Sequence, residues 1–530
     1  MEMTTGGIDL DPTIAVNSLY MLSCTTAVAF VVLGVAIFYS GFTQRRSSLT
    51  MLVLPLVLFP FVFIDWFIWG YSLCYASAVN RYIGSLNFVV LRHLRDSATT
   101  IYVTSRGSIL SVNHFLFNGM MKVVCAALTF PGCIAERGRV VPMLVFCFFW
   151  SVIIYNPVTY WFWNRLGWLS VEYNKQPVLD FAGGNCIHIV SGFTTLAYSY
   201  ILGPRNPKIL INYRNSSTSY VAIGIFFIVA GWCGFVAGCD FRFSTLSVYI
   251  IVNTLLSAFT SGIVWMAIDY YFSAIPYEGN LKSTRKMSVI SLSSGLMTGL
   301  VAITPGGGYV SNPNDFWKPF VYGVVSAIVC NLATRLKFYA QIDDALDLFA
   351  IHGVAGIVGS LLTGIFSNTE YSSDGGWVQG HWIQLAYQLL GCTVTSAYVF
   401  VMSIVLLYLI DYTPGLHLRI DKTFNQRTRW ARNAHQEETM LELTTSDIEG
   451  QNINVPSEKD LHYESLELLG MDAYLLNGEY AMDFMEFIKE LRPQDYEDNE
   501  TINDYDNTQP VDSTDISPFG GMDASTKKSE

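Results

Sequence analysis

DFAGGNCIHIVSG (residues 180–192) and DLFAIHGVAGIVG (residues 347–359) decide how this chain reads, because each sets a histidine in apolar, glycine-rich sequence. The histidines are His188 and His352, and each follows an aspartate, Asp180 or Asp347, by five to eight residues. Imidazole is costly to place in hydrocarbon, so an ionisable residue inside a membrane span marks a functional site. One such histidine alone is equally well explained as a core residue satisfied by backbone carbonyls. Two in matched settings point to a pore that handles protons.

The surrounding sequence is membrane sequence. Of 530 residues, 51% are hydrophobic and only 14% are charged, where soluble proteins are nearer a quarter charged. Long apolar runs continue to about residue 413, each with the ~20 residues a helix needs to cross a hydrocarbon core of roughly 30 Å. The expected fold class is an all-α polytopic membrane protein of eleven transmembrane helices. They lie near residues 14–40, 49–75, 108–134, 140–164, 181–203, 219–239, 245–272, 288–304, 317–338, 346–367 and 383–411. Glycine and other small residues recur inside them, as close helix packing in lipid requires.

Loop cations set the orientation. With the N-terminus outside, the inner loops hold Arg45/Arg46, Arg137/Arg139, Arg205/Lys208/Arg214, Lys282/Arg285/Lys286 and Arg335/Lys337. The outer connections are sparser for their length, with Arg81, Arg92, Arg95 and Arg106 in one long loop, then Arg165, Lys175, Arg242 and Lys318. An odd number of spans places the C-terminus in the cytoplasm. The start, MEMTTGGIDLDP, lacks a basic n-region, so no cleaved signal peptide is expected. Residues 1–13 then form an extracellular N-terminus, 14–413 the transmembrane domain and 414–530 a cytoplasmic tail.

The ten cysteines sit mostly within spans and show no paired outer-loop spacing, which argues against a disulfide framework or zinc site. The net charge of −12 comes largely from the tail and gives no support to nucleic-acid binding. That tail opens with Arg419, Lys422, Arg427, Arg429 and Arg432, an anchor for an anionic inner leaflet. Acidic, polar sequence follows, with one apolar-periodic island at 461–491 that reads as a regulatory helix, and the last forty or so residues read as disordered. Asn215 and Asn499 head glycosylation sequons on the inner side, where neither is expected to be glycosylated.

A small cation such as ammonium cannot cross hydrocarbon without a large desolvation cost. A pore avoids that cost by separating proton from ammonia and giving the proton its own relay. Two adjoining imidazoles suit the task, since each donates and accepts a hydrogen bond and titrates near neutrality. Carboxylates would hold a cation too firmly for turnover, and potassium can neither donate hydrogen bonds nor shed a proton.

YSGFTQRRSS, WGYS, AERGR, NPVTYWFW, DFAGGNCIHIVSG, GWCGFVAG, VNTLLSA, DDALDLFAIHGVAGIVG and PGLHLRI occur in that order. The chain resembles the ammonium transporter family (the Amt, methylammonium permease and Rhesus group), and within it the fungal permeases, over nearly all of residues 14–420. The resemblance implies a 5+5 inverted repeat plus one perimeter helix, and three subunits that each carry a pore, in a homotrimer or a mixed trimer with related subunits. It implies ammonium or methylammonium as substrate and the plasma-membrane bilayer as setting; the sequence offers no nucleophile–base set or cofactor fingerprint, so neither a cofactor nor enzymatic activity is expected.

Carried over position by position, His188 and His352 match the pore and proton-relay pair. Asp180, which also reads as a helix N-cap, matches an acid at the outer recruitment site, and Trp163 matches the aromatic that meets the incoming cation. Phe235 matches one gate phenylalanine. Counted back from AERGR without a gap, the second gate position falls on Lys122. The hydroxyl that helps cradle the ion falls on Cys239, a weaker hydrogen-bonding group.

Asp65, in FIDWFIWGYS, and Lys122 both fall near mid-depth of their spans. Lone charges there cost at least ~2.5–3.5 kcal/mol, so an Asp65–Lys122 ion pair is expected between spans two and three. The alternatives are a snorkelling Lys122 or a gap in the alignment. In the tail, GMDAYLLNGEYAMDF (residues 470–484) resembles a cytoplasmic motif that docks under the neighbouring subunit's pore, here displaced by an insertion of roughly forty residues. Two functions compete: an ammonium transporter, and a poorly conducting sensor that signals through the tail. A gas channel like the Rhesus branch fits less well, because the recruitment aromatic and acid are retained.

Overall fold

Every predicted span falls on a helical run in the computed structural model, which describes residues 11–94, 108–171, 177–210, 213–272, 287–370, 374–420 and 470–475. The runs are α1 (Pro12–Phe42), α2 (Arg45–Tyr75), α3 (Ser111–Ile134), α4 (Val140–Trp163), α5 (residues 184–202), α6 (Thr218–Gly238), α7 (Thr245–Phe272), α8 (Val289–Ile303), α9 (Trp317–Ala333), α10 (Phe349–Phe366) and α11 (Ile383–Asp411). Among the described residues nine runs are long and apolar enough to cross a membrane; α5 falls outside that set, and α8, at 15 residues, is a shorter apolar helix. The loop cations Arg95, Arg106, Lys175, Lys282, Arg285 and Lys286 lie outside the described residues, as do most of the tail island at 461–491 and the sequon at Asn499.

Local sequence sets the ends and bends of these helices. Asp11 caps α1 by accepting from the Thr13 N–H at 2.8 Å, with Pro12 at the first helical position. Among the described residues there are four single π turns: Trp66–Gly70 and Ser151–Tyr155 interrupt α2 and α4, while Gly184–Ile189 and Phe349–Val354 open α5 and α10. A π turn inserts one residue and re-aims the side chains beyond it, and such turns concentrate at functional sites. Here two of the four carry His188 and His352.

Packing follows the two halves of the sequence. The first helices of the halves, α1 and α6, meet backbone to backbone, since a Cβ on Gly34 would stand 2.8 Å from the Gly224 carbonyl oxygen. The fifth helices, α5 and α10, cross where a Cβ on Gly192 would stand 2.2 Å from the Gly353 nitrogen. Both crossings pair like with like, as a 5+5 repeat about a twofold axis requires. The most apolar stretch of α3 is wholly buried, whereas that of α11 is one-third buried, the least of the nine. So α3 runs through the middle and α11 lies at the edge.

The aspartate that corresponds to Asp180 is Asp344, not Asp347. Asp180 precedes His188 by eight residues, and its carboxylate accepts the Asn185 N–H, five residues on, at 2.8 Å. Asp344 precedes His352 by eight residues and accepts the Phe349 N–H, again five on, at 2.7 Å. Asp347 turns away to Lys337, 2.6 Å from its ammonium group. The spacing from acid to histidine is therefore the same in both halves.

Candidate functional site

His188 and His352 face each other at the centre of the bundle. Their Nδ1 atoms are 3.3 Å apart and their ring planes 19° apart, with neither residue exposed. Both Nε2 atoms are buried without a partner. In a neutral pair one Nδ1 donates to the other, so one outer Nε2 is a bare acceptor and the other an N–H donor. Moving one proton across the Nδ1–Nδ1 contact, with exchange at the outer nitrogens, reverses that polarity. Chemically, such a pair can accept a proton at one end and release one at the other.

Glycine makes the contact reachable. Gly192 and Gly353 bring α5 and α10 to backbone contact one turn from His188 and directly beside His352. Gly356 adds to this, since a Cβ there would lie 3.3 Å from the His188 Cβ. Side chains any larger would push the imidazoles apart.

One face of α6 covers the pair. Trp232 stacks on His188 with centroids 5.3 Å apart and planes 8° apart, and its indole N–H donates to the Thr304 hydroxyl at 3.1 Å. Phe235 lies 5.0 Å from Trp232 and 6.4 Å from His188, wholly buried. Sequence reasoning missed Trp232, although it precedes Phe235 by three residues and so shares its helical face. Cys239 ends α6, partly exposed, and its thiol turns back to the Phe235 carbonyl at 3.4 Å.

Asp180 organises the entry to α5. Its carboxylate accepts four backbone N–H groups, from Gly183 (2.9 Å), Gly184 (2.6 Å), Asn185 (2.8 Å) and Cys186 (3.2 Å). These are the donors a helix start leaves without intrahelical partners. The non-helical residues before it are satisfied by the backbone that follows α8, with Phe181 N donating to Pro305 O and Ala182 N to Thr304 O, as irregular backbone inside a membrane protein demands. Trp163, at the end of α4, donates its indole N–H to the Asp180 carbonyl at 3.0 Å. Asp180 and Trp163 are thereby joined, with the carboxylate turned to backbone rather than open space.

Lys122 turns toward α2, to the carboxylate expected for it. It is wholly buried, with its ammonium 2.5 Å from an Asp65 carboxylate oxygen and 3.0 Å from Asn156 Oδ1. The faces of Trp66 and Tyr155 lie 5.4 and 5.5 Å away. The physical reason is the cost of a lone buried charge: the ammonium turns to the carboxylate on α2.

The loops at one end of the bundle form a charged cluster. Arg205 forks onto Asp343 at 2.8 and 2.9 Å and reaches Glu136 at 2.6 Å. Burial works against the Asp343 carboxylate, but Arg137 and Arg205 outweigh it and hold it below the usual range. Burial, with the Asp347 charge second, pushes the Asp344 carboxyl up to about 6. The tail reaches this cluster through Met471, whose sulfur accepts the Glu136 N–H at 3.0 Å, while Asp472 accepts from the Thr50 N–H (2.7 Å), the Leu49 N–H (3.1 Å) and the Thr50 hydroxyl (2.6 Å) at the start of α2. Those contacts lie within the same chain; the rest of residues 470–484 beyond Leu475 lies outside the described residues.

The sequence model of the Ammonium Transporter Family matches residues 19–440. Ammonium transporter 1 of Schizosaccharomyces pombe is 38% identical over 413 residues, covering 76% of this chain and 78% of that protein. Ammonium transporter MEP2 of Saccharomyces cerevisiae is 35% identical over 411 residues, 75% and 78% of the two chains. The crystal structure of Candida albicans Mep2 superposes with a TM-score of 0.69 at 34% identity, over 76% of this chain and 86% of that one.

Proposed function

The chain belongs to the Ammonium Transporter Family, and on that premise we propose that it recruits ammonium on one side of the membrane and passes ammonia across it. The proton moves separately through His188 and His352. The observation that carries this reading is the Nδ1–Nδ1 contact at 3.3 Å between two buried histidines whose outer nitrogens have no protein partner. A fixed hydrogen-bonding axis with free ends serves a molecule that donates and accepts at once, and potassium cannot use it.

In this reading Trp163 and Cys239 line the recruitment site, the indole face attracting the cation by ~1–2 kcal/mol when partly desolvated. Asp180 acts on that site through backbone, fixing the start of α5 and the carbonyl that holds Trp163. Phe235 and Trp232 keep bulk water from the histidines, so that ammonium must shed its hydration and a proton to go further. The eleven runs span the plasma membrane with the N-terminus outside. The cluster of Arg205, Asp343 and Glu136 and the seat of Asp472 then face the cytoplasm, and the subunit assembles as a trimer, either of identical chains or mixed with related subunits.

A second reading, a poorly conducting ammonium sensor, draws on the seat of Asp472 at the start of α2, which ties the tail to the transmembrane helices. Ammonium-evoked current from the purified chain in liposomes separates the two. A saturable current supports transport, and protein that inserts but carries no current supports the sensor.

A further inference from the structure

We propose that Asp65 is an internal counter-ion that keeps the cation of Lys122 from closing the pore to ammonium; the inference rests on the transport reading above. The Asp65 carboxylate is fully engaged: one oxygen accepts from Lys122 and from the Ser151 hydroxyl, the other from the Trp69 indole N–H at 2.7 Å. Lys122 spends its ammonium on Asp65, on Asn156 and on the faces of Trp66 and Tyr155. Gly70 leaves room for it, since a Cβ there would lie 2.9 Å from Nζ.

Backbone geometry assembles this node. The π turn Trp66–Gly70 begins directly after Asp65, and Ser151–Tyr155 opens on Ser151 and ends just before Asn156. The two π turns not occupied by a histidine thus both converge on the Lys122 ammonium. Three helices, α2, α3 and α4, are tied there by charged and neutral hydrogen bonds.

The node lies close to the proton relay. Lys122 is three residues, ~4.5 Å of rise, before Cys125 on α3. The Cys125 thiol reaches the Ile187 carbonyl and the Ser191 hydroxyl, each at 3.5 Å, on either side of His188 along α5. Paired, Lys122 and Asp65 sum to zero charge and leave only a dipole, whose field falls off faster with distance than that of a lone ammonium. An unpaired ammonium on the order of 10 Å from a permeating cation, at an effective dielectric near 20, lowers its occupancy roughly tenfold. Two apolar residues could fill the same space at no greater cost in stability, so the carboxylate is needed because the lysine is there.

The roles are therefore unequal, which a purely structural pair would not be. The test measures methylammonium uptake by cells expressing the full chain with D65N, K122M or both, alongside surface level and thermal stability of the solubilised protein. D65N keeps acceptor and donor groups for Ser151 and Trp69 but leaves the lysine uncompensated; it should raise the half-saturation concentration about tenfold. K122M should transport within a few-fold of the parent despite lower stability, and D65N/K122M should regain most of the uptake that D65N loses. Wild-type uptake in the same cells tests the ammonium reading separately. Should D65N fail to reach the surface, the charge-swapped chain D65K/K122D, whose node stays neutral, should be active. Parent-like uptake by folded D65N, equal losses in both single variants, or a folded but inactive double or swapped variant would each overturn the proposal.

Discussion

Gly192→Ala is the sharpest test of how the fold sets the histidine contact. The added methyl would sit 2.2 Å from the Gly353 nitrogen and 2.4 Å from its Cα, both backbone atoms that cannot rotate away. Ordinary contact needs roughly 3.4 Å or more, so α5 and α10 must part by about 1 Å. His188 and His352 ride on those helices beside the crossing, and their Nδ1 atoms start 3.3 Å apart. An added ~1 Å takes the pair past the distance at which a hydrogen bond exists. Misplacement of reacting groups by that much can cost on the order of 100-fold, whereas overpacking of this kind costs only about 1–3 kcal/mol of stability. Methylammonium uptake should therefore fall by about two orders of magnitude while surface level and elution profile stay near those of the parent. A folded Gly192→Ala chain with uptake within threefold of the parent would refute the argument that this crossing sets the relay.

Trp232→Leu removes the ring stacked on His188 and leaves Thr304 without its indole donor; a stacked pair is worth ~0.5–1.5 kcal/mol, so uptake should drop by roughly two- to tenfold with little change in expression. Asp180→Ala strips the acceptor from four N–H groups at about 1–3 kcal/mol for each left unsatisfied, and should lower the melting temperature far more than Asp180→Asn, as followed by intrinsic fluorescence in detergent. Asp344 carries a native carboxyl raised to about 6 from 3.8. The folded state therefore binds more protons than the unfolded state between those values, and stability falls as pH rises through that window, by about 3 kcal/mol in all. Asp344→Asn should abolish that slope, and a variant that loses stability with pH as the parent does would remove Asp344 as its source.

Much of the fold was legible because membrane spans announce themselves by apolar length. Each span had a helix behind it, with ends that moved by a few residues where caps such as Asp11 or glycine breaks decide them. The histidines were legible for the opposite reason, as polar groups where polarity is costly. Lys122 and Asp65 were legible as charges at matching depth, but their depth could not say which way Lys122 turns; that depends on π turns at Trp66 and Ser151. A π turn is one inserted residue held by tertiary contacts, and no local composition marks it. Asp347 misled because it stands nearer His352 than Asp344 does, whereas the capping geometry depends on a fixed spacing of eight. Trp232 hid among twelve tryptophans, most of which a membrane protein uses for packing or as belt residues.

In the proposed mechanism ammonia and proton pass through a hydrogen-bonded histidine pair. Solid-supported-membrane electrophysiology on the purified chain in proteoliposomes tests it most directly, comparing the parent with His188→Ala/His352→Ala. The parent should give a saturable, ammonium-evoked current that potassium does not elicit and that the double variant lacks although it inserts normally. An undiminished, ammonium-selective current without the two imidazoles would contradict it.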